Sequence, residues 1–330
     1  MKLITSLPQL CLVAVLTLLT APALFAQQPA SETLQQRLPA SSEAGPLPSV
    51  PSEASSNSDL GQIGVVQTYP KPEMFTVSTS QQFFYTDNVF YTDAHYGSGT
   101  IGSLAYLGSY TASFVPYSLR DWTPRISLQY NMVRYNSAAS GDFDNENLSF
   151  SNQYVFSDDR SWSWNSSATL GNFTAPHNND HQFYKEVVYD NQISKVMQFC
   201  KDTPLFFIAA YDLAYHQASP AIFDRLDNTL SLSLAYYPVP ELSIGPYVRP
   251  GARTYFTNGT YFVDGTFASG IAQSNRDDFN LAVGFDVTWQ PWKYVSVSAD
   301  FSHVNDYSNN SSLSYNDTTP GLSLTGTIKF

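Results

Sequence analysis

Between residue 74 and the C-terminal phenylalanine, large apolar side chains recur at every second position in twelve separate stretches. A period of two marks the β-strand, whose successive side chains point to opposite faces. In 229–237, Leu230, Leu232, Leu234 and Tyr236 alternate with Ser231 and Ser233. In 278–289, Phe279, Leu281, Val283, Phe285, Val287 and Trp289 stand opposite Asn280, Gly284 and Asp286. The same pattern runs through 74–86, 102–114, 125–135, 147–156, 162–172, 205–215, 294–303 and 321–330. Two stretches are less regular: 186–199 carries Lys195 on its apolar face, and 241–255 contains Pro246 and Pro250. Each proline removes a ladder donor, which leaves the strand count open by about two.

The connections alternate in length. Short ones (PYSLRDWT, SDDR, CKDT, PVP, QPW) follow the even-numbered stretches, and long polar ones follow the odd-numbered stretches. The stretches run to about ten residues or more, enough to cross a bilayer when tilted, whereas ordinary strands are about half that length. A soluble sandwich also alternates, but its outward face does not need a girdle. Here all five tryptophans, Trp122, Trp162, Trp164, Trp289 and Trp292, lie at or beside short connections. Indole prefers the headgroup level, so they read as a periplasmic aromatic girdle. Closure follows, because an open edge in hydrocarbon would leave backbone groups unpaired. The expected fold is all-β: a closed antiparallel transmembrane β-barrel of about twelve strands in meander order over 74–330. Its outer surface would meet outer-membrane lipid, and an even strand count would place both ends of the barrel on the periplasmic side.

The N-terminal region is of another kind. Residues 1–26 have Lys2 before an apolar stretch and close on Ala23, Leu24, Phe25 and Ala26. That is the layout of a secretory signal peptide, and its apolar part is shorter than the roughly 20 residues of a spanning helix. Residues 27–73 are rich in Ser, Pro, Glu and Ala and read as a disordered periplasmic tether. Loss of the signal removes Cys11 and leaves Cys200 as the one cysteine, so no intramolecular disulfide is expected. The formal charge of -12, with 16 Lys plus Arg against 28 Asp plus Glu, argues against nucleic acid as a partner.

The last stretch, LSLTGTIKF, alternates and ends on Phe330. It resembles the C-terminal signal by which bacterial outer-membrane β-barrel proteins are recognised, carried here by Leu324, Gly326, Ile328 and Phe330. Gly326 stands one place from its usual position in that pattern. The resemblance implies a porin-like barrel in the outer membrane of a Gram-negative-type bacterium, with the barrel-assembly machinery as a partner. The segment YTDNVF, 85–90, is similar to the start of some outer-membrane barrels found with exopolysaccharide systems, but is too short to carry a function.

No nucleophile elbow, phosphate loop or paired-cysteine motif occurs, so no enzyme activity, cofactor or metal is expected. His177 and His181 flank an Asn-Asn-Asp run that reads as a solvated loop, and His303 alternates away from Ser302. The charges on the polar face carry more. Arg125, Asp212, Arg249, Arg253, Asp286 and Asp300 fall on or near lumen-facing positions, as Arg134 does by placement at the rim. In a channel they would set ion preference; in a filled barrel they would pair as structural salt bridges. The expected function is a narrow passive channel for small or polar solutes. The alternative is a structural or surface-interaction barrel without transport, including one linked to exopolysaccharide export.

Overall fold

The computed structural model describes residues 74–89, 100–119, 121–156, 161–176, 181–200, 203–219, 221–256, 262–263, 266–267, 276–309 and 313–330. The expected signal and tether lie outside these residues, as does the run 177–180. The first half of the chain forms β1 (Phe75–Thr86), β2 (Ser103–Phe114), β3 (Trp122–Tyr135), β4 (Phe143–Phe156), β5 (Trp162–Ala175) and β6 (His181–Cys200). The second half continues with β7 (Thr203–Ser219), β8 (Arg225–Val239) and β9 (Leu242–Tyr255). A small hairpin, β10 (Phe262–Val263) with β11 (Thr266–Phe267), precedes β12 (Asp277–Trp292), β13 (Val295–Ser308) and β14 (Tyr315–Lys329). The hairpin apart, twelve strands pair in chain order, all antiparallel, and β1 closes on β14 from Thr76↔Lys329 to Phe84↔Gly321. The twelve-stranded barrel itself has no open edge, which is the condition for a sheet surrounded by hydrocarbon.

The alternation resolves into an apolar outside and a polar inside. Phe83, Leu104, Leu128, Phe150, Leu170, Tyr189, Tyr211, Phe285, Leu322 and Leu324 are all exposed on the outer face. The neighbouring Gln82, Ser109, Asn131, Asn145, Ser194 and Ser302 are buried on the inner face. A soluble sandwich would have the reverse, since it must hide its apolar side chains from water.

The irregular strands have local causes. The β9–β12 ladder is continuous, with Phe285↔Pro246 and Leu281↔Pro250, but the β8–β9 ladder lacks pairs at both prolines. The absent N–H groups therefore cost bonds on one side only, and the strand survives. Lys195 does stand on the outer face, with Nζ 4.9 Å from the Trp162 ring, near the short-turn end. Its stem lies along the apolar surface while the ammonium reaches the boundary.

Most strands run further toward the long loops than alternation of large side chains predicts. β8 begins at Arg225, β14 at Tyr315, and β13 continues to Ser308. These added lengths of strand carry His216, Arg225, Asp227 and Asp306, half of the buried charge described next.

Candidate functional site

Inward side chains change character along the barrel. Toward the short turns many are half-exposed: Thr76, Ser78 and Ser80 on β1, Thr111 and Ser113 on β2, Ser149 and Ser151 on β4, Ser231 and Ser233 on β8; around β6 to β8, Ser194 and Phe206 are buried, and Phe206 meets Tyr237 edge-on at 6.0 Å. Toward the long loops they are buried: Phe84 and Thr86, Ala105 and Leu107, Val133 and Tyr135, Arg225 and Asp227. The interior is thus an accessible polar vestibule that ends in a seal.

Side-chain hydrogen bonds running around the wall line the vestibule. Thr325 Oγ1 donates to Ser80 (3.0 Å), Gln129 to Ser109 (3.2 Å) and Thr169 to Ser149 (3.0 Å). Ser163 meets Ser194 at 2.7 Å, and Thr288 meets Ser298 at 2.9 Å. Short polar groups satisfied sideways have no need to reach across the lumen for partners. Gly284 serves the same end. A Cβ there would lie 2.6 Å from the Tyr247 hydroxyl, so the missing side chain is what lets Tyr247 lie flat along the wall. Arg249 in turn stacks over that ring at 4.3 Å.

Five of the expected lumen charges belong to this vestibule. Arg125 is half-buried opposite Ser151. Asp212 accepts from Gln192 Nε2 at 3.4 Å and lies beside Asp190. Asp286 and Asp300 are direct cross-strand partners, and Gln82 Nε2 donates to Asp300 at 3.0 Å. With Arg249, the vestibule holds two guanidiniums against four carboxylates. Like charges directly opposite on a ladder destabilise it, so the Asp286–Asp300 pair marks a field concentrated in the lumen. Arg253 faces inward too, but in the seal. Arg134 does not: it stands on the outer face, bound to Asp144 at 2.6 Å, because its position has the parity of Leu128 and Met132. Rim placement was the wrong guide there.

The seal has two halves. One is apolar: Phe84, Leu107, Val133, Tyr135, Phe143, Phe173 and Tyr184 pack with Val89, Ala138 and Phe223 from the connections. Phe173 meets Tyr184 edge-on at 5.1 Å, and Tyr184 meets Phe223 at 5.8 Å. The inturned connections are pinned by aspartates: Asp142 accepts from Tyr135 N (2.7 Å) and Asp224 from Ala218 N (2.5 Å). The other half is ionic. His216 sits between Glu186 (Nδ1, 3.0 Å) and Asp227 (Nε2, 3.2 Å), and Arg225 Nε reaches the same Asp227 at 3.1 Å. Tyr184 links the halves by donating to Glu186 at 3.0 Å. Arg253 meets Asp306 at 3.3 Å, and Arg276 holds Asp278 at 2.6 Å while stacking over Tyr255 at 4.6 Å. Buried charges demand such partners.

On the outside, Trp162, Trp164, Trp289 and Trp292 are exposed at the short-turn end, and Trp122 packs edge-on against Tyr117 at 5.3 Å. Leu324, Ile328 and Phe330 are likewise exposed, and Gly326 shares the outward parity of the last strand. Of the residues weighed for catalysis, His303 bonds Thr318 at 3.0 Å while Ser302 is buried on the opposite face. The side chain of His181 lies outside the described residues. Among the described residues no cluster of His, Cys, Asp and Glu could hold a metal.

An apolar outside, a polar inside and a fully closed ladder define a transmembrane β-barrel of the outer-membrane type. The fold matches that of an outer membrane channel from Pseudomonas putida F1, with a TM-score of 0.52 at 13% identity, covering 80% of this chain and 98% of that one. Fainter matches are the KdgM porin in complex with disordered oligogalacturonate (TM-score 0.39, 8% identity, 76% of this chain and 98% of that one) and the beta domain of the Bordetella autotransporter BrkA (TM-score 0.39, 10% identity, 76% and 98%). At these identities the likeness is one of fold, and only the first is strong enough to build on. The sequence matches no protein-family model and no curated protein.

Proposed function

We propose that this chain is a narrow passive channel of the outer membrane that admits small polar solutes and favours cations. The observation that carries the reading is the vestibule: many inward Ser and Thr side chains toward the short turns are half-exposed, and carboxylates outnumber guanidiniums among its charges. Carboxylate-lined pores lower the energy of a cation and raise that of an anion. The short-turn end is assigned to the periplasm, following the rule that periplasmic turns are short, and the terminal strand to recognition by the assembly machinery. The narrow point is the seal, where a solute must pass between the aromatic half and the ionic half.

The test is planar-bilayer conductance of the refolded protein. Discrete small openings with a reversal potential on the cation side are expected. Silence under all voltages would overturn the channel and favour the second reading, a barrel that presents its loops to partners without transport. The tight packing of Tyr184, Phe223 and Arg225 is the observation that favours that alternative.

A further inference from the structure

The outer wall is not uniformly convex. A hollow of about 930 Å³ lies between two adjacent rows of outward side chains on β13, β14 and β1 to β5. Along one row, Val77, Ala112, Leu128 and Leu148 are successive ladder partners. Along the other, Gly326, Thr79, Tyr110 and Tyr130 are partners in the same way. The large members form the walls, and the hollow deepens where Ala112, Thr79 and Gly326 are small.

Gly326 is small for no reason internal to the barrel. A Cβ there would meet nothing nearer than Thr79 Cγ2 at 3.7 Å and Tyr294 O at 4.0 Å. At Gly284, by contrast, it would lie 2.2 Å from a backbone oxygen. The packing of the sheet accounts for Gly284 and leaves Gly326 to be explained by something outside the chain.

The two ends of the groove differ in charge. At the short-turn end it opens beside Tyr294 and Val295, and the Lys293 ammonium lies 5.3 Å from the Tyr294 ring. At the other end stands Glu146, exposed on the outer face. From Val295 to Leu148 the groove crosses five interstrand spacings, about 24 Å, enough for an extended fatty acyl chain. An anionic headgroup is favoured at Lys293 and repelled at Glu146, so an occupant has one orientation.

We propose that this groove seats an acyl chain of an anionic phospholipid from the leaflet at the short-turn end, with its phosphate at Lys293 and its chain passing over Gly326, Thr79 and Ala112. The site is distinct from the lumen, and its failure would leave the channel reading untouched.

The full chain, refolded into phosphatidylcholine vesicles doped with a phosphatidylglycerol that carries a photoactivatable group in its acyl chain, provides the test. Labelling is expected to concentrate on peptides containing 77–79, 110–112 and 326–328. In Gly326→Leu combined with Ala112→Leu, it is expected to fall to the level of the other barrel faces. Even labelling around the wild-type barrel, or concentrated labelling unchanged in the filled variant, would overturn the proposal. Should the filled variant not fold, as judged by heat-modifiable gel migration, Lys293→Glu decides. The site requires that variant to lose the preference for labelled phosphatidylglycerol over labelled phosphatidylcholine, and retention of the preference counts against it.

Discussion

The like-charged pair Asp286 and Asp300 is held face to face by the ladder, with Gln82 donating to one member. One step away on the same face, Thr288 and Ser298 form the equivalent pair with hydroxyls, whereas here Arg249 acts on Asp286 with opposite charge. If the pair sets the field of the vestibule, Asp286→Asn with Asp300→Asn should move the reversal potential in a salt gradient toward zero, with no loss of folded protein. Relief of the repulsion offsets part of the attraction to Arg249 that the variant loses. An unchanged reversal potential would assign selectivity to Asp190 and Asp212, or to the seal. The seal residues themselves were harder to read than these. Asp212, Asp286 and Asp300 lie within clear alternation and could be placed by parity. Arg225, Asp227, Arg276, Asp306 and Asp317 lie in runs such as FDRLDN and NDYSNN, where both faces are polar. Where the inside is charged and the outside has left the hydrocarbon, period two carries no contrast, and strand looks like loop. His216 was the exception: it lies four residues from Asp212 on the same face of the same strand, and extending that stretch by one residue would have found it.

Parity makes a sharp prediction for β3. Leu128 is 59% exposed in the middle of the outer face, and Ser127 beside it faces the vestibule. Leu128→Arg should destabilise the barrel by about 2 to 4 kcal/mol, the cost of an arginine at the bilayer midplane. Ser127→Arg should cost far less and should shift selectivity toward anions. Denaturant unfolding in phospholipid vesicles separates the two; equal costs would mean that β3 does not face lipid. The strands as elements were legible because the membrane demands one face apolar over the full span, so ten or more residues repeat the signal. Their upper boundaries were not, because nothing on the outer face marks where strand ends once the hydrocarbon does. β9 survives its prolines because β12 supplies an uninterrupted ladder on its other side; in the sequence those same prolines left the strand count open.

For the assembled barrel, the seal should set a size limit. In vesicle swelling, small cations are expected to enter and disaccharide-sized solutes to be excluded. Tyr184→Ala with Phe223→Ala removes the aromatic bridge between the halves and should raise both conductance and the size limit. Each substitution costs about 3 to 5 kcal/mol of packing if the site does not collapse, but the closed ladder remains. A variant that folds and shows the wild-type limit would place the constriction elsewhere. The seam between the first and last strands has a further effect, on the order of events in the life of the molecule. Ser80 and Thr325, hydrogen-bonded across it, are 245 positions apart. No portion of the barrel emerging from synthesis without β14 can complete a cylinder, because β1 closes on the barrel's final strand. Contacts so distant along the chain form slowly. Until they do, both sheet margins expose unpaired donors and acceptors to any similar chain nearby. A chain that stops short of β14 therefore leaves an open sheet with two unpaired margins, and no narrower pore.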